Sequence, residues 1–427
     1  MRRLRLLLLA IVVLSIPVSA RTVPKQAHWV SAWSTAIHAP LSFPGAPPPP
    51  MFENQTIRMV VRPTIGGDRV RIRLSNAFGT DALTVGPAHI AISAGGAKIV
   101  ADSDRTLTFY GKSSVKIPRG APLLSDPVDL KFAPFAELVI SIFVPARTPA
   151  SSVHFWGQHE SYISGPGDFT SKVDIADAKT STMWYWLAGV EVWSSDQTET
   201  TVALGDSITD GVGAKQGDYS GWPDLLANRL SAQKGQPPMA VVNEGIGGNR
   251  ILHDGAGVNA LARLDRDVLS QPGVVNLIVL EGINDIGWPR MKPRMPGGEQ
   301  LKEPPFAREM VSADEIIGGL KQIVERAHQH GIRVFGATLT PYEGADYYTV
   351  DGEEIRQAVN QWIRSSGTFD GVIDFDAAVR DPKQPSRFRE GYHSGDSLHP
   401  SAAGFKAMAD AIDLTMLRAS SSAAAKK

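Results

Sequence analysis

The sequence predicts an α/β protein in two parts. An all-β sandwich or jelly-roll-like domain occupies residues 27–193, and residues 200–417 form a domain whose parallel sheet is covered by helices on both faces. Three observations predict this. The chain has 427 residues, too many for one average core, so two domains are expected. Its first part consists of short β-forming runs between turn residues, while its second alternates strands with longer helical patterns. Between them, Ser194–Glu199 is a polar run without apolar periodicity, as a domain boundary should be.

In chain order, Arg2, Arg3 and Arg5 precede the apolar run Leu6–Ile16, and Val18-Ser-Ala20 supplies small residues for cleavage. Residues 1–20 therefore read as a secretory signal, too short to be a comfortable membrane span. Strands are expected at Thr56–Arg62, Arg69–Leu74, Leu83–Val85, His89–Ser93, Leu107–Phe109, Ser114–Ile117, Leu138–Val144 and Val190–Trp193. Alternation is clearest in Arg69-Val-Arg-Ile-Arg-Leu74. The Pro47–Pro50 run reads as a surface loop.

The second part offers strands at Thr201–Leu204, Ala240–Asn243, Val275–Glu281, Val334–Leu339 and Val372–Phe375. Helices are expected at Trp222–Leu230, Ala313–Gln329, Glu353–Arg364 and Ala402–Leu417. Ser312-Ala-Asp-Glu315 is a capping box and Gly331 closes that helix. The stretch Gly287–Met310 holds five prolines and no periodicity. It reads either as a substrate-facing loop or as a plain surface insertion. Residues 419–427 are expected to be a disordered tail.

Composition narrows the function. Formal net charge is −1, so no global field favours nucleic acid or an anionic membrane. With no cysteine, disulfides, thiolate metal sites and a lipidated cysteine are all excluded. An exported chain of this kind suits a bacterial periplasm or exterior.

Chemistry concentrates in four blocks. In Leu204-Gly-Asp-Ser-Ile-Thr-Asp-Gly211 a buried strand ends in a tight turn that exposes the Ser207 hydroxyl beside free backbone N–H groups. Asn243-Glu-Gly-Ile-Gly-Gly-Asn-Arg250 follows the second strand, and its glycines let backbone approach a ligand. It lacks the lysine and serine/threonine of a phosphate-binding loop. Glu281-Gly-Ile-Asn-Asp285 follows the third strand, where Asn284 either aims an amide into the crevice or caps a turn. Gly395-Asp-Ser-Leu-His-Pro400 precedes the last helix, and its spacing lets Asp396 orient His399. A surface turn, or a metal set of His393, Asp396 and His399, would use the same letters, although no convincing further ligand is apparent. Asp206 and Asp285 are expected to hold backbone amides rather than to act in catalysis.

Together the blocks resemble the SGNH hydrolase family, the lipase and esterase group with a Gly-Asp-Ser nucleophile motif, over residues 200–417. The first two strings are similar to a branch of secreted bacterial acyl esterases with an added N-terminal β-domain, some associated with xylan degradation. Trp33, Gln55-Thr-Ile-Arg58 and Arg71-Ile-Arg-Leu-Ser-Asn-Ala-Phe-Gly79 resemble that N-terminal region. The resemblance implies a three-layer domain with a flavodoxin-like sheet. It makes Ser207 the nucleophile, His399 the general base and Asp396 its orienting acid. The oxyanion donors would be the N–H groups of Ser207 and Gly248 and the side chain of Asn284, with Gly247 the alternative to Gly248. No metal or organic cofactor is implied.

The expected substrate is a short acyl ester, acetyl in the leading case, on plant or bacterial polysaccharide. No nucleic-acid partner and no stable membrane anchor after signal cleavage are expected. The alternatives are a lipase or lysophospholipase acting on longer chains, and a glycan-binding protein with a vestigial hydrolase domain. Trp29, Trp33, Phe155, Trp156, Tyr162, Trp184, Tyr185 and Trp186 are sugar-stacking candidates, though core packing is the favoured reading. His154 and His159 read as solvent-facing or hydrogen-bonded, not as ligands.

Overall fold

A computed structural model describes residues 27–41, 48–157, 159–194, 197–291 and 306–418. The expected signal segment, the tail and the centre of the Gly287–Met310 stretch lie outside the described residues.

Two main antiparallel sheets, with three two-stranded ones beside them, form the first part. We label its principal strands β1 (His28–Ser34), β2 (Gln55–Val61), β3 (Gly67–Ser75), β4 (Ala88–Gly95), β5 (Leu138–Val144), β6 (Ser161–Pro166) and β7 (Leu187–Ser194). One sheet runs β1-β7-β3 and the other contains β6-β2-β5-β4. Inward side chains such as Ile57, Ile72, Leu74, Ile90, Ile140 and Val190 fill the space between them. Trp184, Tyr185 and Trp186 are buried there, and Trp33 packs edge-on to Trp184 with centroids 5.0 Å apart. Of the aromatic candidates, Trp156 stands out at 47% exposure.

The second part is a parallel sheet of β8 (Glu199–Gly205), β9 (Met239–Gly245), β10 (Val274–Leu280), β11 (Arg333–Ala337) and β12 (Gly371–Ile373), in the order β9-β8-β10-β11-β12. This is the flavodoxin-like order, whose ligand crevice lies outside the carboxyl ends of the strands. Its main helices are α1 (Ser207–Asp210), α2 (Trp222–Ser231), α3 (Ala313–Gln329), α4 (Val350–Ser365) and α5 (Ala402–Asp410). The capping box at Ser312 and Glu315 is formed. Register aligns Gly205 with Gly245 on one side and Leu280 on the other, so the segments leaving three adjacent strands emerge at one edge.

The expected helix over Ala402–Leu417 is broken. It stops at Asp410 and a second short helix runs Leu414–Arg418. The Asp413 carboxylate accepts from both N–H and Oγ1 of Thr415, at 2.9 and 2.8 Å, and so starts a new turn.

The two parts share a tight seam. Strand β1 lies against β9; Ser31 N–H donates to Pro272 O at 2.9 Å and Thr200 Oγ1 to Ser31 O at 3.1 Å. Strand β9 would otherwise present a bare sheet edge. There the Thr64 hydroxyl accepts from Val241 N–H at 3.0 Å and lies 3.1 Å from Val241 O, which covers part of that edge.

Candidate active site

Strand β8 carries the chain to Gly205, where a side chain cannot fit. A Cβ there would lie 2.2 Å from Thr209 Oγ1 and 2.4 Å from Leu280 O. Asp206 caps α1, its Oδ1 accepting from Ile208 N–H at 2.9 Å. Ser207 is thus the first residue of a helix, with its N–H pointing out of the helix end. Its Oγ lies 2.8 Å from His399 Nε2.

His399 reaches this point on a turn shaped by Asp396. Oδ1 of Asp396 accepts from the N–H groups of Leu398 and His399, both at 2.9 Å, and Oδ2 lies 2.5 Å from His399 Nδ1. Between them Ser397 adopts φ +59°, a left-handed conformation tolerated because the carboxylate ties both following amides. Partial burial raises the Asp396 pKa, but the His399 ring and the two amides lower it further, so the net shift is downward. An ionised Asp396 beside Nδ1 fixes the proton there and leaves Nε2 as acceptor for the serine proton.

The two candidate glycines of the loop after β9 differ in their backbone partners. Gly247 N–H donates to Asp210 Oδ2 at 3.0 Å, which leaves the Gly248 N–H as the donor available to a ligand. Gly248 has φ +80°, and a Cβ on it would lie 2.7 Å from Trp288 Cζ2. Asn284 is aimed by three contacts. Its Oδ1 accepts from Trp288 Nε1 at 3.0 Å and Tyr347 Oη at 3.2 Å, and its Nδ2 donates to Asn249 O at 2.9 Å. With the oxygen end occupied, the amide nitrogen still has one N–H to offer.

Behind this edge sits a buried acidic group. Asp285 accepts from Ile251 N–H at 2.7 Å and Leu252 N–H at 3.0 Å, so Asp206 and Asp285 both hold backbone amides, as expected from the sequence. Burial pushes Asp285 up to about 6, against the opposing pull of those amides. Burial first, and neighbouring carboxylates with it, raise Asp206 and Glu281 as well. The cation among them is Arg263, which is 1% exposed. It donates to Glu244 O at 2.7 Å, Gly205 O at 3.0 Å, Asn249 Oδ1 at 2.8 Å and Asp267 Oδ2 at 3.1 Å.

Sequence reasoning missed Arg263, Trp288 and Tyr347. Trp288 lies in the stretch singled out as an insertion, and its ring stands 5.0 Å from that of Phe306. The described flanks of that stretch therefore meet beside the Gly248 loop. His393 does not converge with Asp396 and His399 on a metal; its Nδ1 accepts from Gly395 and Ser397 N–H, both at 3.1 Å. Among the described residues no cluster suits a metal ion, and no helix is long and apolar enough to cross a membrane.

Fold and site together define an ester hydrolase. Residues 203–407 match the GDSL-like lipase/acylhydrolase family. The chain is also similar to solved structures. One is an acetylxylan esterase from Geobacillus stearothermophilus, with 22% identity, TM-score 0.38, and coverage of 52% of this chain and 95% of that one. Another is a GDSL-like lipase from Bacteroides thetaiotaomicron, with 16% identity, TM-score 0.35, and coverage of 52% and 88%. No curated protein matches the chain.

Proposed function

We propose that this chain is an exported serine esterase that removes short acyl groups, acetyl foremost, from polysaccharide. One observation carries the catalytic reading. An unbroken line of hydrogen bonds, 2.8 and 2.5 Å long, runs from Ser207 Oγ through His399 to Asp396.

In this reading Ser207 Oγ attacks the ester carbonyl carbon as its proton passes to His399 Nε2. The carbonyl oxygen takes the negative charge and is held by the N–H groups of Ser207 and Gly248 and the amide of Asn284. The carbon–oxygen bond to the alcohol breaks, and the alcohol leaves with the proton from His399. Water then attacks the acyl-enzyme, giving one proton to His399, which returns it to Ser207 as the acid departs. Asn284→Ala is expected to lower kcat by roughly 10²–10³-fold, about 3–4 kcal/mol, with KM within a few-fold. Steady-state kinetics on p-nitrophenyl acetate check this.

The preference for short acyl groups is supported by Trp288, whose ring lies against Gly248 and so puts an aromatic wall beside one of the donors. The polysaccharide part rests on the resemblance of the N-terminal strings to acyl esterases associated with xylan, and export rests on residues 1–20. Purified protein should hydrolyse p-nitrophenyl acetate best, with kcat/KM falling as the acyl chain lengthens to butyrate and octanoate. Acetylated xylan should then release acetate. A rate that rises with chain length would replace this reading with a lipase.

A further inference from the structure

His154 belongs to the β-sandwich part yet ends beside the Gly248 loop. Its ring is 2% exposed. Nδ1 lies 2.9 Å from Ala36 O and Nε2 lies 3.0 Å from Asp210 Oδ1. Both partners are acceptors, so both ring nitrogens must carry protons and the ring is a cation. Neighbouring His38 is the opposite case. Its Nδ1 meets Ala39 O at 2.7 Å while its Nε2 accepts from Phe155 N–H at 3.0 Å. That ring is neutral, and burial, with His154 beside it, lowers its pKa to about 4.

The second oxygen of Asp210 accepts from Gly247 N–H. A single carboxylate therefore joins a cation of the first domain to the loop that presents the Gly248 N–H. We propose that His154 and Asp210 are positioning residues for the oxyanion site, so that the β-sandwich completes the esterase through Ala36, His154, Asp210 and Gly247. This rests on the serine-esterase reading, with Gly248 as an oxyanion donor. It gives the first domain a part in the chemistry beyond any contact with a glycan. Asp210 taken by itself would be one more acid near a turn. What distinguishes it is that its two oxygens serve two domains.

The groups facing His154 set the direction of its pH response. Asp210 is the anion in contact, His38 and Trp184 flank the ring, and Arg263 is a further cation acting on it. A cavity of about 60 Å³ beside it is also lined by Arg62, His159, Tyr219 and Asp224. Burial lowers the His154 pKa, but the charge and hydrogen bond of Asp210 and the Ala36 carbonyl outweigh it, and the net shift is upward. The tie is therefore present below the ordinary histidine value and is lost as pH rises through the elevated one.

The test compares wild type with His154→Gln and Asp210→Asn, each normalised to the folded fraction. The probes are p-nitrophenyl acetate and trifluoroacetone, a ketone that places an oxyanion in the site when Ser207 adds to its carbonyl. Both variants should lose roughly 10–100-fold in kcat with KM within about threefold, part of the effect of deleting a donor. Trifluoroacetone inhibition should weaken by the same factor. Unchanged kcat and inhibition with a lowered melting temperature would overturn the proposal and leave a simple interdomain tie. Activity surviving in Ser207→Ala would instead overturn the esterase reading underneath. If neither variant folds, the wild type carries the test. Its kcat must then fall across the deprotonation of His154 followed by ¹⁵N chemical shift, and a flat kcat there overturns the proposal.

Discussion

Ser207→Ala is expected to lower kcat/KM for p-nitrophenyl acetate by roughly 10⁴–10⁶-fold, to the level that donors and binding alone support. The fold should tolerate it. The hydroxyl has one hydrogen-bond partner among the described residues, His399 Nε2, and alanine is no worse a helix former. Thermal unfolding should therefore shift little, by about 1 kcal/mol or less. His399→Ala should cost a comparable factor, and the double variant hardly more than either, because the two groups act as one unit. A double variant whose losses multiplied would mean that the serine and the imidazole work separately.

The largest loss of stability is expected at Arg263. Replacing it with methionine keeps much of the apolar stem but removes every N–H that pairs the carbonyls of Gly205 and Glu244 and the side chains of Asn249 and Asp267. It also removes the cation 3.7 Å from Glu281. Breaking such a buried pair from one side costs about 3–5 kcal/mol, which for a domain of this size is on the order of 10 °C in melting temperature. Differential scanning calorimetry measures it, and Arg263→Lys should fall between. Because Gly205 and Asn249 adjoin Ser207 and Gly248, activity should fade at temperatures where the wild type is still fully active.

The four blocks that meet at one sheet edge were legible because each is local. A strand, a glycine or carboxylate at fixed offset and a following helix are written within about eight residues, and the sheet order aligns them. Long-range pairing leaves no such trace. Nothing in the spacing of His154 and Asp210, or of Arg263 and Gly205, says that they meet. Strand β1 escaped notice for a related reason. Its pattern, His28-Trp-Val-Ser-Ala-Trp-Ser34, buries residues on both faces, one toward the sandwich core and one toward β9, so the alternation of a half-exposed strand is missing. The split after Asp410 was hidden because apolar periodicity continues through Ile412 and Leu417, while the break depends on one carboxylate bonding two residues ahead.

Ser207 leaves the first parallel strand, and His399 arrives 192 residues later, just before the helix that ends at Asp410. The contact joins the two ends of the parallel-sheet domain. Under the proposed roles, catalytic competence requires the segment that carries His399 to be docked against the edge that carries Ser207. A chain interrupted anywhere short of Gly395 keeps its serine but has nothing to draw the proton away. Recovery of esterase activity during refolding should accordingly trail the return of helical signal, marking the final closure of the domain rather than its first collapse.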